Sequence, residues 1–189
     1  KGSGMIHPNM ATMLVFLTTD CAISAEMLQK ALRGDVAETF NMLSIDGDTS
    51  TNDMVVVLAN GQAGNAEIAA EGEDFAVFMK ALNTVTICLC RQIAADGEGA
   101  TRLLECKVTG APTLADAKLA AKSVVCSSLF KAAIFGADAN WGRVLCALGY
   151  SGANIDVDKI EVAFRSPAGT ITVCENGAGV DFSEEEAKK

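Results

Sequence analysis

The sequence predicts a mixed fold of the α/β (α+β) class, in which sheets and helices are layered into a sandwich. Three observations lead to this expectation. Apolar runs of strand length occur at 13–17 and at 54–59. Apolar residues recur at helical spacing in longer stretches such as 74–95. Two alternating segments flank Ser-Pro-Ala-Gly at 166–169, a pattern that is typical of a β-hairpin.

The first third of the chain is expected to alternate strand, helix and strand. Residues 12–19 (TMLVFLTT) predict a strand, and Ser24 then offers an N-cap for a helix that Gly34 ends or interrupts. The polar stretch 45–53 separates this helix from a second strand at 54–59. Because the centres of both strands are apolar, we expect both strands to be buried.

The middle of the chain is expected to hold a long helix. A Gly- and Ala-rich surface connection at 60–73 precedes Asp74, which is a candidate N-cap. The predicted inward face of this helix comprises Phe78, Leu82, Val85, Leu89 and Ile93. The glycines within 95–101 then end the helix. Apolar and charged residues alternate in 104–108, which predicts a half-buried strand.

The last third is expected to begin with another helix. Thr113 and Asp116 have the spacing of a capping box, and Gly136 is the expected end of this helix. The hairpin follows at 160–173, and the acidic run at 184–189 predicts the start of a solvated helix.

The composition excludes several classes of protein. Lys and Arg number 15 against 24 Asp and Glu, a net charge of −9, whereas nucleic acids and anionic membranes require a basic face. No apolar run approaches the ~18 residues of a membrane helix, and we expect no signal peptide. The seven cysteines are an odd number and lie mostly in apolar segments, which indicates reduced thiols in a cytoplasmic protein.

The sequence also argues against metal and cofactor sites. His7 is the single histidine, which is too few for a zinc site built from histidines at helical spacing. Neither the phosphate-binding pattern G-x-x-x-x-G-K-[ST] nor the dinucleotide pattern G-x-G-x-x-G occurs. We therefore expect no metal and no cofactor.

Four polar, glycine-containing segments interrupt the apolar elements, and the first is KGSGMIHPNMAT at 1–12. Its small residues let the backbone turn tightly before Thr12. In one interpretation Thr12 is simply a β-branched strand residue. In the other it is a nucleophile whose own α-amine, with an unperturbed pKa near ~8, serves as the base. The second interpretation requires a cut between Ala11 and Thr12.

The other three segments each have a structural and a functional interpretation. DGDTSTND at 46–53 is either an Asx-rich turn or a cation site, although it lacks the spacing of an EF-hand. In DGEGAT at 96–101, Glu98 is either a solvated turn residue or a ligand contact between two glycines. In GADANWGR at 136–143, the single Trp caps the core and the Arg pairs with a carboxylate, or both serve a site.

Taken together and in this order, KGSGMIHPNMATML, DGDTSTND, ADGEGAT and KAAIFGADANWGR resemble the ornithine acetyltransferase family, the glutamate N-acetyltransferases of arginine biosynthesis. The resemblance covers essentially the whole chain. It implies a sandwich of the N-terminal-nucleophile-like type. It also implies a precursor that cleaves itself between Ala11 and Thr12, so that 1–11 ends an α subunit and 12–189 is a β-subunit domain, truncated at its C-terminus.

The resemblance further implies roles for three residues. Thr12 is the nucleophile, and Lys1 and Glu98 contact the substrate. The implied reaction moves the acetyl group of N2-acetylornithine to glutamate through an acetyl-threonine intermediate, with acetyl-CoA as a further candidate donor. The implied assembly is an α2β2 heterotetramer. The family's oxyanion-hole donors, a Thr-Gly pair, precede Lys1, and further substrate contacts follow Lys189, so we expect this chain to carry part of the pocket.

Two alternatives remain at the level of sequence. An N-terminal-nucleophile aminopeptidase or amidohydrolase would keep the cut but hydrolyse its substrate. An inactive fragment would remain uncut and serve only as a structural domain. Assays of acetyl transfer against amide hydrolysis, together with a terminal-residue determination, distinguish the three.

Overall fold

The computed structural model describes residues 1–9 and 12–189 of the chain. Within them the chain separates into two units, Lys1–Leu103 and Leu104–Lys189. Helices and strands occur in both units, which confirms the predicted mixed class. No helix in the described ranges is long and apolar enough to cross a membrane. All seven cysteines are described, and none of them forms a disulfide bond.

The sheet of the first unit consists of two parallel strands, β1 (Leu14–Thr19) and β2 (Met54–Ala59). Val15 on β1 is buried against the helices, whereas its neighbour Phe16 is 65% exposed and Leu58 on β2 is 60% exposed. The prediction of two fully buried strands is therefore wrong. Side chains alternate across a strand, and in this unit the helices cover only one face of the sheet.

Helix α1 (Ala25–Glu38) connects the two strands. Its predicted N-cap is confirmed, because the Ser24 hydroxyl accepts a hydrogen bond from the Met27 N–H (3.3 Å). The predicted helix end at Gly34 is wrong, since the helix continues for one more turn to bury Val36. A Cβ at Gly34 would lie 3.7 Å from Met79 Cε, so this glycine lies in the contact between two helices rather than at a terminus.

Helix α2 (Glu73–Ala95) is the predicted long helix. Its N-cap is Gly72 rather than Asp74, which lies in the first turn, where an acidic side chain favours the helix dipole. Val85 is 50% exposed, so its predicted inward position is wrong, and Thr86 is buried in its place. The Thr86 hydroxyl donates back to a backbone carbonyl one turn earlier (3.1 Å), which allows its burial. The buried residues of α2 are Phe75, Leu82, Thr86 and Ile93.

The second unit combines helices with a three-stranded antiparallel sheet in the order β3-β4-β5. Its core is formed by buried residues of three helices, and the ring of Phe130 lies 5.9 Å from that of Phe164. Its elements are α3 (Leu114–Cys126), α4 (Ser128–Phe135), α5 (Trp141–Gly149), β3 (Val162–Ser166), β4 (Gly169–Glu175), β5 (Ala178–Gly179) and α6 (Glu184–Ala187).

Short sequence patterns correctly predict most helices and strands of the second unit, with two exceptions. The capping box is confirmed, because Thr113 Oγ1 accepts the Asp116 N–H (3.1 Å) and donates to the Asp116 carboxylate (2.6 Å). The hairpin and the short terminal helix are also confirmed. The predicted continuous helix is divided at Ser127, whose hydroxyl caps α4. Residues 104–108 alternate half-buried and exposed as predicted, but they form no strand in the described structure.

Candidate functional site

The first polar segment folds back onto the start of β1. The backbone nitrogen of Lys1 donates to the Leu14 carbonyl (2.8 Å), and the Leu14 N–H donates to the Lys1 carbonyl (2.9 Å). This reciprocal pair has the pattern of an antiparallel bridge. Ile6 and Met13 are fully buried and anchor the segment to the core. Lys1 therefore lies beside the residues that directly follow Thr12.

Thr12 directly precedes Met13, whose backbone N–H and carbonyl are both hydrogen-bonded. The Met13 N–H donates to Asp53 Oδ1 (2.7 Å), and the Met13 carbonyl accepts the Met54 N–H (2.7 Å). The Thr12 hydroxyl oxygen is buried and has no hydrogen-bond partner among residues 1–9 and 12–189. A buried hydroxyl without a partner costs about 1–3 kcal/mol, and a catalytic role is one explanation for keeping such an atom. Ala11, on the other side of the predicted cut, lies outside the described residues.

Asp46 clamps the middle of the first segment. Its two oxygens accept the N–H groups of Met5 (2.6 Å) and Ile6 (3.1 Å), and the Ile45 N–H donates to the Ile6 carbonyl (2.7 Å). Met5 has a φ of 55°, a left-handed conformation that a non-glycine residue adopts only when its surroundings hold it there. Burial alone would raise the pKa of Asp46, but hydrogen bonds from the N–H groups of Asp48, Met5 and Ile6 outweigh it and lower the pKa below 3.8.

Replacing Asp46 with Asn should therefore destabilise the protein in a pH-dependent way. The lowered pKa means that the carboxylate stabilises the fold above its unfolded pKa of about 3.9, and that this contribution is lost as the pH falls through the folded pKa. Because Asp46 is exposed, we expect a loss of only about 1 kcal/mol in the free energy of unfolding at pH 7. Urea unfolding at pH 7 and near pH 3 measures it.

The matched control is Asp48→Asn, which changes an exposed carboxylate in the same loop. This control should unfold like the parent protein at both pH values. The difference between Asp46→Asn and the parent should narrow between pH 7 and pH 3, because the carboxylate's contribution is lost as the pH falls through its lowered folded pKa. A difference that stays constant from pH 7 to pH 3 would show that the Asp46 charge does not hold the segment.

Glu98 reaches the same segment from the loop that follows α2. The Glu98 N–H donates to the Ser3 carbonyl (2.7 Å), and a Cβ at Gly4 would lie only 3.0 Å from Glu98 Oε2. Gly4 thus lets the carboxylate approach the backbone closely. The Glu98 side chain is exposed, so it remains accessible to a ligand. Three of the four polar segments therefore meet at one place in the first unit.

A pocket of 480 Å³ borders this place. It lies between the first segment, the early part of β1 and the last turns of α2. Its polar lining includes Lys1, Gln92 and Asp96, and its apolar lining includes Phe16 and Leu89. The volume falls in the range of small-molecule sites, but of the three predicted site residues only Lys1 lines the pocket.

The remaining polar segments have structural roles. In 46–53 the carboxylates accept backbone N–H groups, which favours the turn over the cation site, and no group of three His, Cys, Asp or Glu in the described ranges is placed to hold a metal ion. In the second unit, Trp141 packs against Gly179, in agreement with the core interpretation. The Arg143 guanidinium donates to the Leu129 carbonyl (2.7 Å), and within the described ranges it makes no ion pair with a carboxylate.

Comparison with known proteins places this arrangement in a family. The model of the ArgJ family matches residues 1–189, the whole chain. The chain belongs to the ArgJ family. The resemblance inferred from the four motifs is thereby confirmed at the level of the family.

Two curated ArgJ relatives show the extent of the match. The arginine biosynthesis bifunctional protein ArgJ 1 of Clostridium acetobutylicum is 55% identical over 189 residues, which are 100% of this chain and 46% of the relative. The arginine biosynthesis bifunctional protein ArgJ of Thermotoga neapolitana is 54% identical over 189 residues, 100% of this chain and 48% of the relative. The chain thus spans about half the length of these relatives.

A solved structure confirms the ArgJ fold. The crystal structure of the arginine biosynthesis bifunctional protein argJ from Bacillus halodurans is 49% identical to this chain, with a TM-score of 0.87. The match covers 94% of this chain and 81% of that chain.

Sequence reasoning missed the part that two aspartates play in this ArgJ site. Their loop predicts turn residues or cation ligands, whereas Asp46 accepts the Met5 N–H of the first segment and Asp53 accepts the Met13 N–H directly after it. One signal was available. Asp53 directly precedes the second predicted strand, and Thr12 begins the first. Carboxylates at the same end of neighbouring strands lie near each other's backbone.

Proposed function

We propose that this protein is an ornithine acetyltransferase, which transfers the acetyl group of N2-acetylornithine to glutamate through an acetyl-Thr12 intermediate. The observation that carries the proposal is the buried Thr12 hydroxyl, which has no partner in the described structure and directly precedes the anchored Met13. The names of the ArgJ relatives support a place in arginine biosynthesis.

Maturation comes first. The Thr12 hydroxyl oxygen attacks the Ala11 carbonyl carbon, and the C–N bond of that peptide breaks as the nitrogen takes up a proton. The result is an ester on Thr12 Oγ1 and a free α-amine, and water then hydrolyses the ester to release the Ala11 carboxylate. The anchored backbone on the Met13 side supports this step, because a fixed nucleophile loses little entropy on attack.

Acetyl transfer then takes two steps, in which Thr12 Oγ1 first accepts the acetyl group and then gives it up. Thr12 Oγ1 attacks the acetyl carbonyl carbon while its proton passes to the neutral α-amine of the same residue. The C–N bond to ornithine breaks, and the proton passes from the ammonium to the leaving amine. The neutral amine of glutamate then attacks the acetyl ester and gives up a proton to the α-amine of Thr12. Thr12 Oγ1 leaves with that proton, which the resulting α-ammonium returns to it. Atoms and protons balance over this ping-pong cycle.

Two charged side chains of the first unit are proposed to bind the substrates. The Lys1 ammonium suits the α-carboxylate that acetylornithine and glutamate share. The Glu98 carboxylate suits the side-chain ammonium of acetylornithine. Both side chains are exposed. Lys1 begins the segment that ends at Thr12, and the Glu98 N–H donates to the Ser3 carbonyl within it.

The remaining features of the proposal follow from the resemblance. The reaction uses no metal and no cofactor, with acetyl-CoA as a further candidate acetyl donor. Residues 1–11 belong to an α subunit and 12–189 to a β subunit, and the two assemble as α2β2. The protein works in the cytoplasm and binds neither nucleic acid nor membrane. The acidic composition supports the last point.

The deciding experiment measures transfer and hydrolysis side by side on the full-length protein. Labelled acetyl groups are supplied on acetylornithine or on acetyl-CoA, with and without glutamate. Acetylglutamate that forms only when glutamate is present supports the proposal, and the acetyl-CoA arm shows whether that donor is used. Release of free acetate at the same rate without glutamate identifies an amidohydrolase instead. No turnover, together with an intact mass that shows an uncut chain, identifies an inactive structural domain.

A further inference from the structure

Asp53 carries a second buried atom without a partner. Its Oδ1 accepts the Met13 N–H at 2.7 Å, while its Oδ2 is shielded from solvent and makes no hydrogen bond within the described residues. Leaving a carboxylate oxygen buried and unpaired is costly, because the oxygen loses its water without gaining a donor. Such an atom calls for an explanation, and a donor that arises in another state of the protein is one.

The donor is provided by the adjacent residue. Thr12 is joined to Met13 by one peptide bond, so its backbone nitrogen lies within about 4 Å of the Met13 nitrogen that Asp53 already binds. The Thr12 hydroxyl is the other buried oxygen without a partner at this place. In the uncut chain the Thr12 nitrogen has one N–H, whereas after cleavage it is an amine with two or an ammonium with three.

We propose that Asp53 is a positioning residue for the α-amine of Thr12, with Oδ2 accepting an N–H from that amine once the bond before Thr12 has been cut. This inference rests on the proposed function. One N–H of the neutral amine then points at Asp53. The lone pair of the amine nitrogen is thereby free to take the proton of Thr12 Oγ1. When the amine becomes an ammonium, the carboxylate stabilises the new positive charge.

The arrangement predicts a specific pH dependence. A carboxylate beside an ammonium favours the charged form, so Asp53 raises the pKa of the α-amine and sets the acidic limb of the rate profile. Other ionisable groups also border this segment. They are Lys1, His7, Asp46, Asp48, Asp96 and Glu98. A substitution confined to position 53 leaves all of them in place.

The test is Asp53→Asn in the full-length protein. The Asn oxygen still accepts the Met13 N–H, but an amide NH2 replaces Oδ2 and cannot accept. We expect the cut to occur, kcat to fall by about 10–100-fold, and the acidic limb of the kcat profile to move about one pH unit lower. KM should change by less than about 3-fold, because Asp53 touches no substrate. Each rate is divided by the fraction of protein that has been cut, which intact mass measures.

Two further variants make the result decisive. Asp48→Asn, the same change on an exposed side chain of the same loop, should leave the cut, kcat and the pH profile unchanged. Asp53→Glu restores a carboxylate and should return the acidic limb toward its original pH. An Asp53→Asn protein that stays uncut, or that keeps the parent's kcat and acidic limb, overturns the inference. Failure of the proposed function has another signature, since the parent protein itself would then transfer no acetyl group.

Discussion

Replacing Thr12 with alanine is expected to leave the chain uncut and to lower acetyl transfer by at least about 10³-fold. Alanine lacks the oxygen that attacks both the Ala11 carbonyl and the acetyl group, so maturation and turnover fail together. Intact mass measures the cut, and the formation of labelled acetylglutamate measures the transfer. Thr12→Ser keeps the oxygen and removes only a methyl group, so this variant should be cut and retain activity within about 100-fold of the parent.

The same substitution should not destabilise the fold. The Thr12 hydroxyl oxygen is buried without a partner in the described structure, so removing it abolishes a desolvation penalty and no hydrogen bond. We expect the midpoint of thermal unfolding of uncut Thr12→Ala to equal or exceed that of the uncut precursor of the parent. A gain in stability with a loss of function is the usual signature of a residue kept for chemistry.

Thr18→Ala is the matched control, because Thr18 is a threonine with an exposed side chain on β1, the strand that begins two residues after Thr12. It should leave the cut and the transfer unchanged. A Thr12→Ala protein that is still cut, or that still transfers acetyl groups at the parent's rate, would show that another residue is the nucleophile.

The sequence predicted what short-range chemistry determines. The Ser24 cap and the Thr113 capping box were correct because each involves residues three apart. Gly34 was misassigned as a helix end because its role depends on Met79, which approaches from another helix. Val85 is exposed and Thr86 is buried because the packing of α2 against α1 and the rest of the core decides which of its faces is covered.

The residues of the candidate site also fall into those that local motifs predict and those whose roles depend on distant contacts. Thr12, Lys1 and Glu98 were chosen from motifs, and the structure places all three on or against one segment. The roles of Asp46 and Asp53 depend on hydrogen bonds to residues 40 or 41 positions away. Neither carboxylate reveals its partner in the local sequence, because a polar Gly- and Asp-containing loop has the same composition whether it turns in solvent or binds a neighbouring backbone.

The second large effect is expected for Glu98→Gln. Acetylornithine carries a side-chain ammonium where glutamate carries a carboxylate, so the charge of Glu98 acts oppositely on the two substrates. Removing it should lower kcat/KM for the formation of acetyl-Thr12 from acetylornithine by about 10–100-fold, since a charge-assisted hydrogen bond contributes about 1.5–3 kcal/mol. The KM for glutamate in the second half-reaction should stay the same or fall, because a repulsion is removed.

Single-turnover measurement of each half-reaction separates these effects, with acetyl-enzyme formation followed by mass and its consumption followed by glutamate titration. Glu67→Gln is the control, since Glu67 is an exposed residue in the connection between β2 and α2. A uniform loss of binding energy would change both half-reactions in the same direction, whereas a charge that recognises ornithine changes them in opposite directions. Equal losses in both would therefore show that Glu98 supports the first segment through Ser3 and Gly4 and does not select the substrate.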